Sequence, residues 1–260
     1  MSGAIPAELS STLEVFADQE KVLIALDFDG TLAPLVDDPE ASRMIAPARE
    51  ALARLTALSG VTIALVTGRA IDSVTRVADP LDEWFLVGSH GIEVLGPAEF
   101  KEYHTPWVVP GALREEFEAM VSAHPGTRLE HKPFGLALHT RGVDEVVARA
   151  AEVAAHRLCE AWPTDLVVRT GQGIVEASIK ASTKGDGIEE VRRLAGLSST
   201  LFVGDDRTDE DGFAVLGEDD VAIRVGGGKT IAPYRLPDAE AVAESLWLIH
   251  DHRTSVETRS

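Results

Sequence analysis

Lys21-Val-Leu-Ile-Ala-Leu-Asp-Phe-Asp-Gly-Thr31 joins an unbroken apolar run to a closely spaced pair of aspartates. The run is too short for a lone helix and is rich in strand formers. Because apolar residues do not alternate with polar ones, it predicts a strand buried on both faces, as in a parallel sheet. In an extended segment, residues two apart point the same way, so Asp27 and Asp29 can address one ligand. Gly30 lets the chain leave the strand sharply, and ligand sites of open α/β sheets lie just beyond the carboxyl ends of strands. Two carboxylates held together repel unless a cation or a shared proton relieves them, which makes Mg²⁺ the natural third party. An acidic loop whose aspartate caps a turn is the plainer alternative.

The same grammar repeats outward from this strand. Pro47–Leu58 has helical spacing and ends at Gly60, with proline suited to the first turn. Val61–Val66 reads as a second buried strand, Ile71–Val77 as a short helix and Trp84–Val87 as a third strand, followed by Gly88-Ser-His-Gly91 and an apolar run, Ile92–Leu95. Such alternation predicts an α/β sheet with right-handed crossovers. The pattern then changes: helix Gly111–Ala123, strands Thr127–His131 and Gly135–His139, helix Val143–Cys159, and strands Leu166–Arg169 and Gly173–Ser178. Paired strands around helices predict a small α+β module with an antiparallel sheet. Pro106, Pro110 and Gly111 mark its start, and Ala181-Ser-Thr-Lys-Gly185 its end. Helix Gly187–Ala195, strand Leu201–Val203, helix Glu210–Leu216, strand Val221–Val225 and helix Ala239–Ile249 resume the first pattern, and Asp251–Ser260 reads as a frayed polar tail. Residues 1–106 and 181–260 therefore read as two parts of one core domain, with 107–180 inserted between them.

The 260 residues carry 24 Lys and Arg against 43 Asp and Glu, a net charge of −19. That balance excludes a binder of nucleic-acid backbones, whose affinity rests on basic side chains, and docking to an anionic membrane. An apolar fraction of 45 % with 26 % charged residues fits a globular chain rather than a disordered one. Met1–Glu20 lacks the basic and apolar regions of a signal peptide, and no stretch is apolar enough to span a bilayer. A lone cysteine, Cys159, cannot form an internal disulfide, and so the cytoplasm is the expected compartment; a monomer is the favoured assembly.

Further charge gathers at other predicted strand ends. Gly204-Asp-Asp-Arg-Thr-Asp-Glu-Asp211 holds five carboxylates in seven residues. A helix cap accounts for one or two of them; the remainder can complete an oxygen-ligand shell begun by Asp27 and Asp29. Val66-Thr-Gly-Arg69 offers a hydroxyl, backbone N–H groups and a helix start to an anion. Lys184 lies before a predicted helix, where a cation can meet a phosphate. The spacing of His104, His124, His131 and His139 fits no zinc pattern, and Gly226-Gly-Gly-Lys-Thr230 lacks the spacing of a Walker A loop. His90 reads equally as a substrate contact or a satisfied loop histidine, and Cys159 as a core residue.

In their order, Asp27-x-Asp29-x-Thr31, Thr67, Lys184 and Gly204-Asp205-Asp206 resemble the four motifs of the haloacid dehalogenase-like phosphatases. An α/β insert between Thr67 and Lys184 is similar to the C2-type cap of that superfamily. Leu26–Pro34, Gly88–Gly91, Phe134–His139 and Gly204–Glu210 resemble the trehalose-6-phosphate phosphatases more specifically. The resemblance implies a Rossmann-like parallel-sheet core with an inserted α+β cap. It also implies a Mg²⁺-dependent hydrolase that cleaves trehalose 6-phosphate through an aspartyl-phosphate.

Under that resemblance Asp27 is the nucleophile, Asp29 the acid and base, and Thr67 and Lys184 hold the transferring phosphoryl group. The metal ligands are Asp27, the backbone carbonyl of Asp29, and Asp205, with Asp206 or Asp209 positioning waters. Arg69 joins the substrate contacts, and Glu130, Lys132 and Glu176 grip sugar hydroxyls, against the alternative of a solvated strand face. Ser178 stands where relatives carry a basic residue. Another sugar or pseudo-sugar phosphate (sucrose, glucosylglycerol or mannosylglycerate phosphate) is the alternative substrate, and a non-catalytic sugar-phosphate-binding domain the alternative class.

Overall fold

The computed structural model describes residues 5–98, 109–132, 134–164, 166–179, 182–197 and 199–257. Pro106, His104 and Ala181, named above, lie outside the described residues, as do residues 1–4 and 258–260. Two compact units emerge: Met1–His104 with Ser182–Ser260, and Thr105–Ala181.

The first unit is built on a seven-stranded sheet among the described residues. Its strands are β1 (Val22–Leu26), β2 (Val61–Val66), β3 (Phe85–Gly88), β4 (Glu93–Leu95), β9 (Ser199–Gly204), β10 (Val221–Val225) and β11 (Tyr234–Leu236). Their order is β11-β10-β9-β1-β2-β3-β4; all pairs are parallel except β3 with β4. β1 is central and fully buried, as its unbroken apolar run requires. Val22, Ile24 and Leu26 face one helical layer, formed by α1 (Ala7–Ala17), α2 (Ala46–Thr56), α3 (Ile71–Ala78) and α8 (Ala239–Glu257). Leu23 and Ala25 face the other, where α6 (Lys184–Ala195) and α7 (Asp209–Phe213) contribute Ile188, Val191 and Phe213.

The second unit has a four-stranded antiparallel sheet, β5 (Arg128–Lys132), β6 (Gly135–His139), β8 (Ile174–Ser178) and β7 (Val167–Gly171), in that order. Leu136, Leu138, Val175 and Ala177 pack against Leu113 and Phe117 of α4 (Gly111–Ala123) and Ala151, Ala155 and Cys159 of α5 (Glu145–Ala161). Burial raises the Cys159 thiol to about 11, with Glu160 adding to the shift, as befits an inert core cysteine.

Three features differ from the sequence reading. α1 was not anticipated, and neither was β11, a three-residue edge strand between Pro233 and Pro237. The polar tail is no tail: α8 continues to Glu257. Its anchor is Arg253, buried although charged. The guanidinium donates to the carbonyls of Ala17 and Gln19, both at 2.8 Å, and of Ser59 at 2.9 Å. It thereby ties α8 to the ends of α1 and α2, satisfying carbonyls that helix ends leave open. Arg253→Ala should therefore lower stability by roughly 2 kcal/mol in urea titration, since hydrogen bonds to charged groups contribute about 1.5–3 kcal/mol. A loss under about 0.5 kcal/mol, typical of surface positions, would restore the frayed tail.

Candidate active site

Parallel strands bring Asp27, Thr67 and Asp205 to the same edge, because they follow β1, β2 and β9 directly. Asp27 donates its amide to Val203 at 2.9 Å, and Thr67 donates its own to Val87 at 2.8 Å. Gly30 then turns the chain at a φ of +79°. A Cβ there would lie 2.1 Å from an Asp205 carboxylate oxygen, so only glycine fits.

Lys184 opens α6, whose start is fixed by a reciprocal cap between Thr183 and Asp186. The helix begins three residues before its predicted start because of that cap. Lys184 is buried, and its Nζ lies 3.1 Å from Asp27 Oδ1 and donates to Asp209 Oδ1 at 2.7 Å. The other Asp209 oxygen accepts the amides of Asp205 and Asp206 at 2.9 and 2.8 Å. Asp209, read in the sequence as a helix cap or a group that positions water, is thus the fully buried tie between the acidic loop and Lys184. Its type and place in the sequence were equally those of a helix cap, which hid this part. Arg224, missed in the sequence because it lies inside apolar β10, donates to the Asp206 carbonyl and to Glu210 at 3.2 Å. It anchors the back of the same loop.

Asp27, Asp205 and Asp209 each offer a carboxylate oxygen within 4.8 Å of the others. Burial raises Asp27 well above the ordinary carboxylate range; Lys184 opposes this, whereas Asp209, Asp205 and Asp206 reinforce it. Asp205 is pushed up to about 6, by burial first and then by Asp209 and Asp206. Burial also raises Asp209, against the pull of Lys184. In Lys184, burial works to lower the pKa, but Asp209, Asp27 and Asp206 hold it above the ordinary lysine range. A single ammonium among so many acids leaves negative charge in excess, and all the donors are hard oxygens. That combination fits a divalent cation.

Asp29 is not part of this cluster through its carboxylate. Arg69 donates to both of its oxygens, at 2.6 and 2.7 Å, and Ser42 donates to one at 3.0 Å. The Thr67 hydroxyl oxygen accepts the Arg69 amide at 3.1 Å. The ring of His90, itself at a φ of +56°, lies against Gly68, where a Cβ would come within 2.6 Å of it. In the glycine loop 226–230, Arg235 donates to the carbonyls of Gly226 and Gly228, and the Gly226 amide donates to the Leu236 carbonyl at 2.9 Å.

In the second unit, Glu130 and Glu176 both lie opposite Ala137, on either side of β6, and so share one sheet face with Lys132. Lys132 and Glu176 form a buried pair at 3.0 Å. The His139 ring lies 2.7 Å from Glu130. Burial would raise Glu130, but the His139 hydrogen bond and the charges of Lys132, His139 and Arg128 bring it below the ordinary value. Ser178 donates to the Phe134 carbonyl at 3.3 Å. On this polar face Lys132 and Glu176 are buried, whereas Glu130 and His139 are partly exposed.

Comparison with known proteins adds the lineage. The trehalose-phosphate phosphatase of Mycolicibacterium paratuberculosis is 37% identical over 209 residues, covering 75% of this chain and 51% of the relative. The chain thus spans about half the length of that relative. A trehalose 6-phosphate phosphatase of Zea mays is 30% identical over 253 residues, covering 88% of this chain and 67% of the relative. The C-terminal domain of the C. albicans trehalose-6-phosphate phosphatase shares the fold, with a TM-score of 0.72 at 23% identity, over 96% of this chain and 98% of the other. The family model for trehalose-phosphatase matches residues 25–239, from the first buried strand to the start of α8. The chain belongs to the trehalose-phosphatase family.

Proposed function

We propose that the chain is a Mg²⁺-dependent phosphatase that hydrolyses trehalose 6-phosphate to trehalose and phosphate. The observation that carries this reading is the buried Asp27–Lys184–Asp209 constellation with Asp205 beside it, at the carboxyl edge of the parallel sheet. Asp27 attacks phosphorus and forms an aspartyl-phosphate as the bond to the sugar oxygen breaks. Asp29 gives its proton to that oxygen, then takes one from the water that hydrolyses the intermediate. Lys184 and Thr67 hold the transferring phosphoryl oxygens. Asp27, Asp205 and the Asp29 backbone carbonyl hold the metal, with Asp209 fixing the loop behind them. Shielding of carboxylate from phosphate is what Mg²⁺ supplies when bound there.

The second unit serves as the cap, with Glu130, Lys132 and Glu176 gripping sugar hydroxyls, whereas Arg69 of the core is held on Asp29. The shared sheet face of the three cap residues supports this assignment. The reading extends to a cytoplasmic monomer; among the described residues no helix is long and apolar enough to cross a membrane.

The test is phosphate release from trehalose 6-phosphate with Mg²⁺ and with EDTA, paired with thermal melting. Free Mg²⁺ at about 100 times its Kd should stabilise the chain by about 2.7 kcal/mol. Asp205→Ala should abolish that increment along with turnover. An undiminished Mg²⁺ shift in Asp205→Ala would remove Asp205 from the metal site.

A further inference from the structure

We infer that Arg69 and Ser42 are positioning residues that act through Asp29, fixing which of its oxygens carries the proton to the leaving group. The inference rests on the phosphatase reading above and adds to it how the acid is aimed.

Arg69 sits on the turn after β2, with a side chain only 12% exposed. Its Nε donates to Asp29 Oδ2 at 2.6 Å, and its Nη2 to Asp29 Oδ1 at 2.7 Å and to the Pro39 carbonyl at 2.9 Å. Nη1 reaches Ser73 Oγ, at the start of α3, at 3.4 Å. The guanidinium carbon lies 5.7 Å from the centre of the Phe28 ring, within cation–π range. The rigid fork is thus committed to protein atoms on several sides, which suits arginine for holding a carboxylate and leaves little of it for a substrate. Ser42 is fully buried and adds its hydroxyl to Oδ1 at 3.0 Å.

The consequence is an asymmetric carboxylate. A carboxylate offers about four acceptor positions. Two donors converge on Oδ1 and one on Oδ2, which leaves Oδ2 with the open position. In the first half-reaction the proton leaves Asp29 Oδ2 for the sugar oxygen as the P–O bond breaks and the Asp27–phosphorus bond forms. In the second, Oδ2 takes a proton from the water that attacks phosphorus as the Asp27–phosphorus bond breaks, which returns the free Asp27 carboxylate and releases phosphate. Arg69 and Ser42 keep the carboxyl plane fixed through both.

An aid to leaving-group protonation matters only when the leaving group needs a proton. A sugar alkoxide does, whereas p-nitrophenolate departs without one. The test is kcat and KM for trehalose 6-phosphate and for p-nitrophenyl phosphate in wild type, Arg69→Lys and Ser42→Ala. General acid catalysis contributes on the order of 10²–10⁴-fold. Arg69→Lys should lower kcat on the sugar ester at least about tenfold, keep its KM within about twofold, and leave p-nitrophenyl phosphate turnover within about threefold. Ser42→Ala should shift the two substrates the same way by a smaller factor, and it removes only a hydroxyl, so folding is not at issue. Equal losses on both esters in either variant, or a raised sugar-phosphate KM with kcat unchanged, would overturn the inference; the latter makes Arg69 a substrate contact. Asp27→Asn, measured alongside, silences both esters if the phosphatase reading holds, which separates a failure of that reading from a failure of this one.

Discussion

Asp27→Asn should lower kcat by about 10⁴-fold or more, as loss of a covalent nucleophile does, while leaving the metal-free protein at least as stable as wild type. The two halves of this expectation come from one environment. Asp27 is buried, and Asp205, Asp206 and Asp209 all disfavour its charge. A carboxylate whose folded pKa is raised costs stability once pH exceeds its unfolded value, near 4, and regains it only as the group protonates. At neutral pH an asparagine of the same shape removes that repulsion. It also removes the attacking oxygen. A variant with near-wild-type phosphate release would eliminate the aspartyl-phosphate route, and a variant that melts far below wild type would contradict the electrostatic description.

The second large effect lies at Lys184, and its sign on stability is opposite. Lys184→Met should destabilise the chain by about 3–5 kcal/mol, the usual consequence of stranding buried charge, and abolish turnover as well. Asp27 and Asp209 would both lose the ammonium that lies 3.1 and 2.7 Å away. Stability should return in part when Asp209 is neutralised too, in Lys184→Met with Asp209→Asn, because the stranded charge is then fewer by one. Activity should not return, since the phosphoryl group still lacks its cation. Additive destabilisation in the double variant, measured by denaturant titration, would show that the two side chains are not coupled.

Much of this was legible in the order of residues. Central strands such as β1 and β2 announce themselves by unbroken apolar runs, since burial on both faces leaves no room for alternation. Asp27 and Asp205 could be named because each follows such a run at a strand end, and Lys184 because of its place in the order of the motifs. What stayed hidden depends on long-range pairing. Arg253 looks like tail charge until the ends of α1 and α2 are beside it. Ser42 sits in a polar stretch, Asp37–Ser42, whose composition says surface, yet it is buried on Asp29. Asp209 read as a cap because local spacing favours that explanation, and its tie to Lys184 spans 25 positions. Asp29 was paired with Asp27 by the two-residue period of a strand, but the strand ends at Leu26 and Arg69 draws the second carboxylate aside.

On the phosphatase reading proposed above, the core motifs meet a phosphoryl group common to all sugar phosphates, so only groups facing the sugar discriminate among substrates. The most direct measurement is therefore kcat/KM, with Mg²⁺, for trehalose 6-phosphate against sucrose, glucosylglycerol and mannosylglycerate phosphates. Trehalose 6-phosphate should exceed each by at least about tenfold, or roughly 1.4 kcal/mol of transition-state discrimination, and EDTA should abolish release from all of them. Equal values across the set, or release that persists in EDTA, would contradict the account.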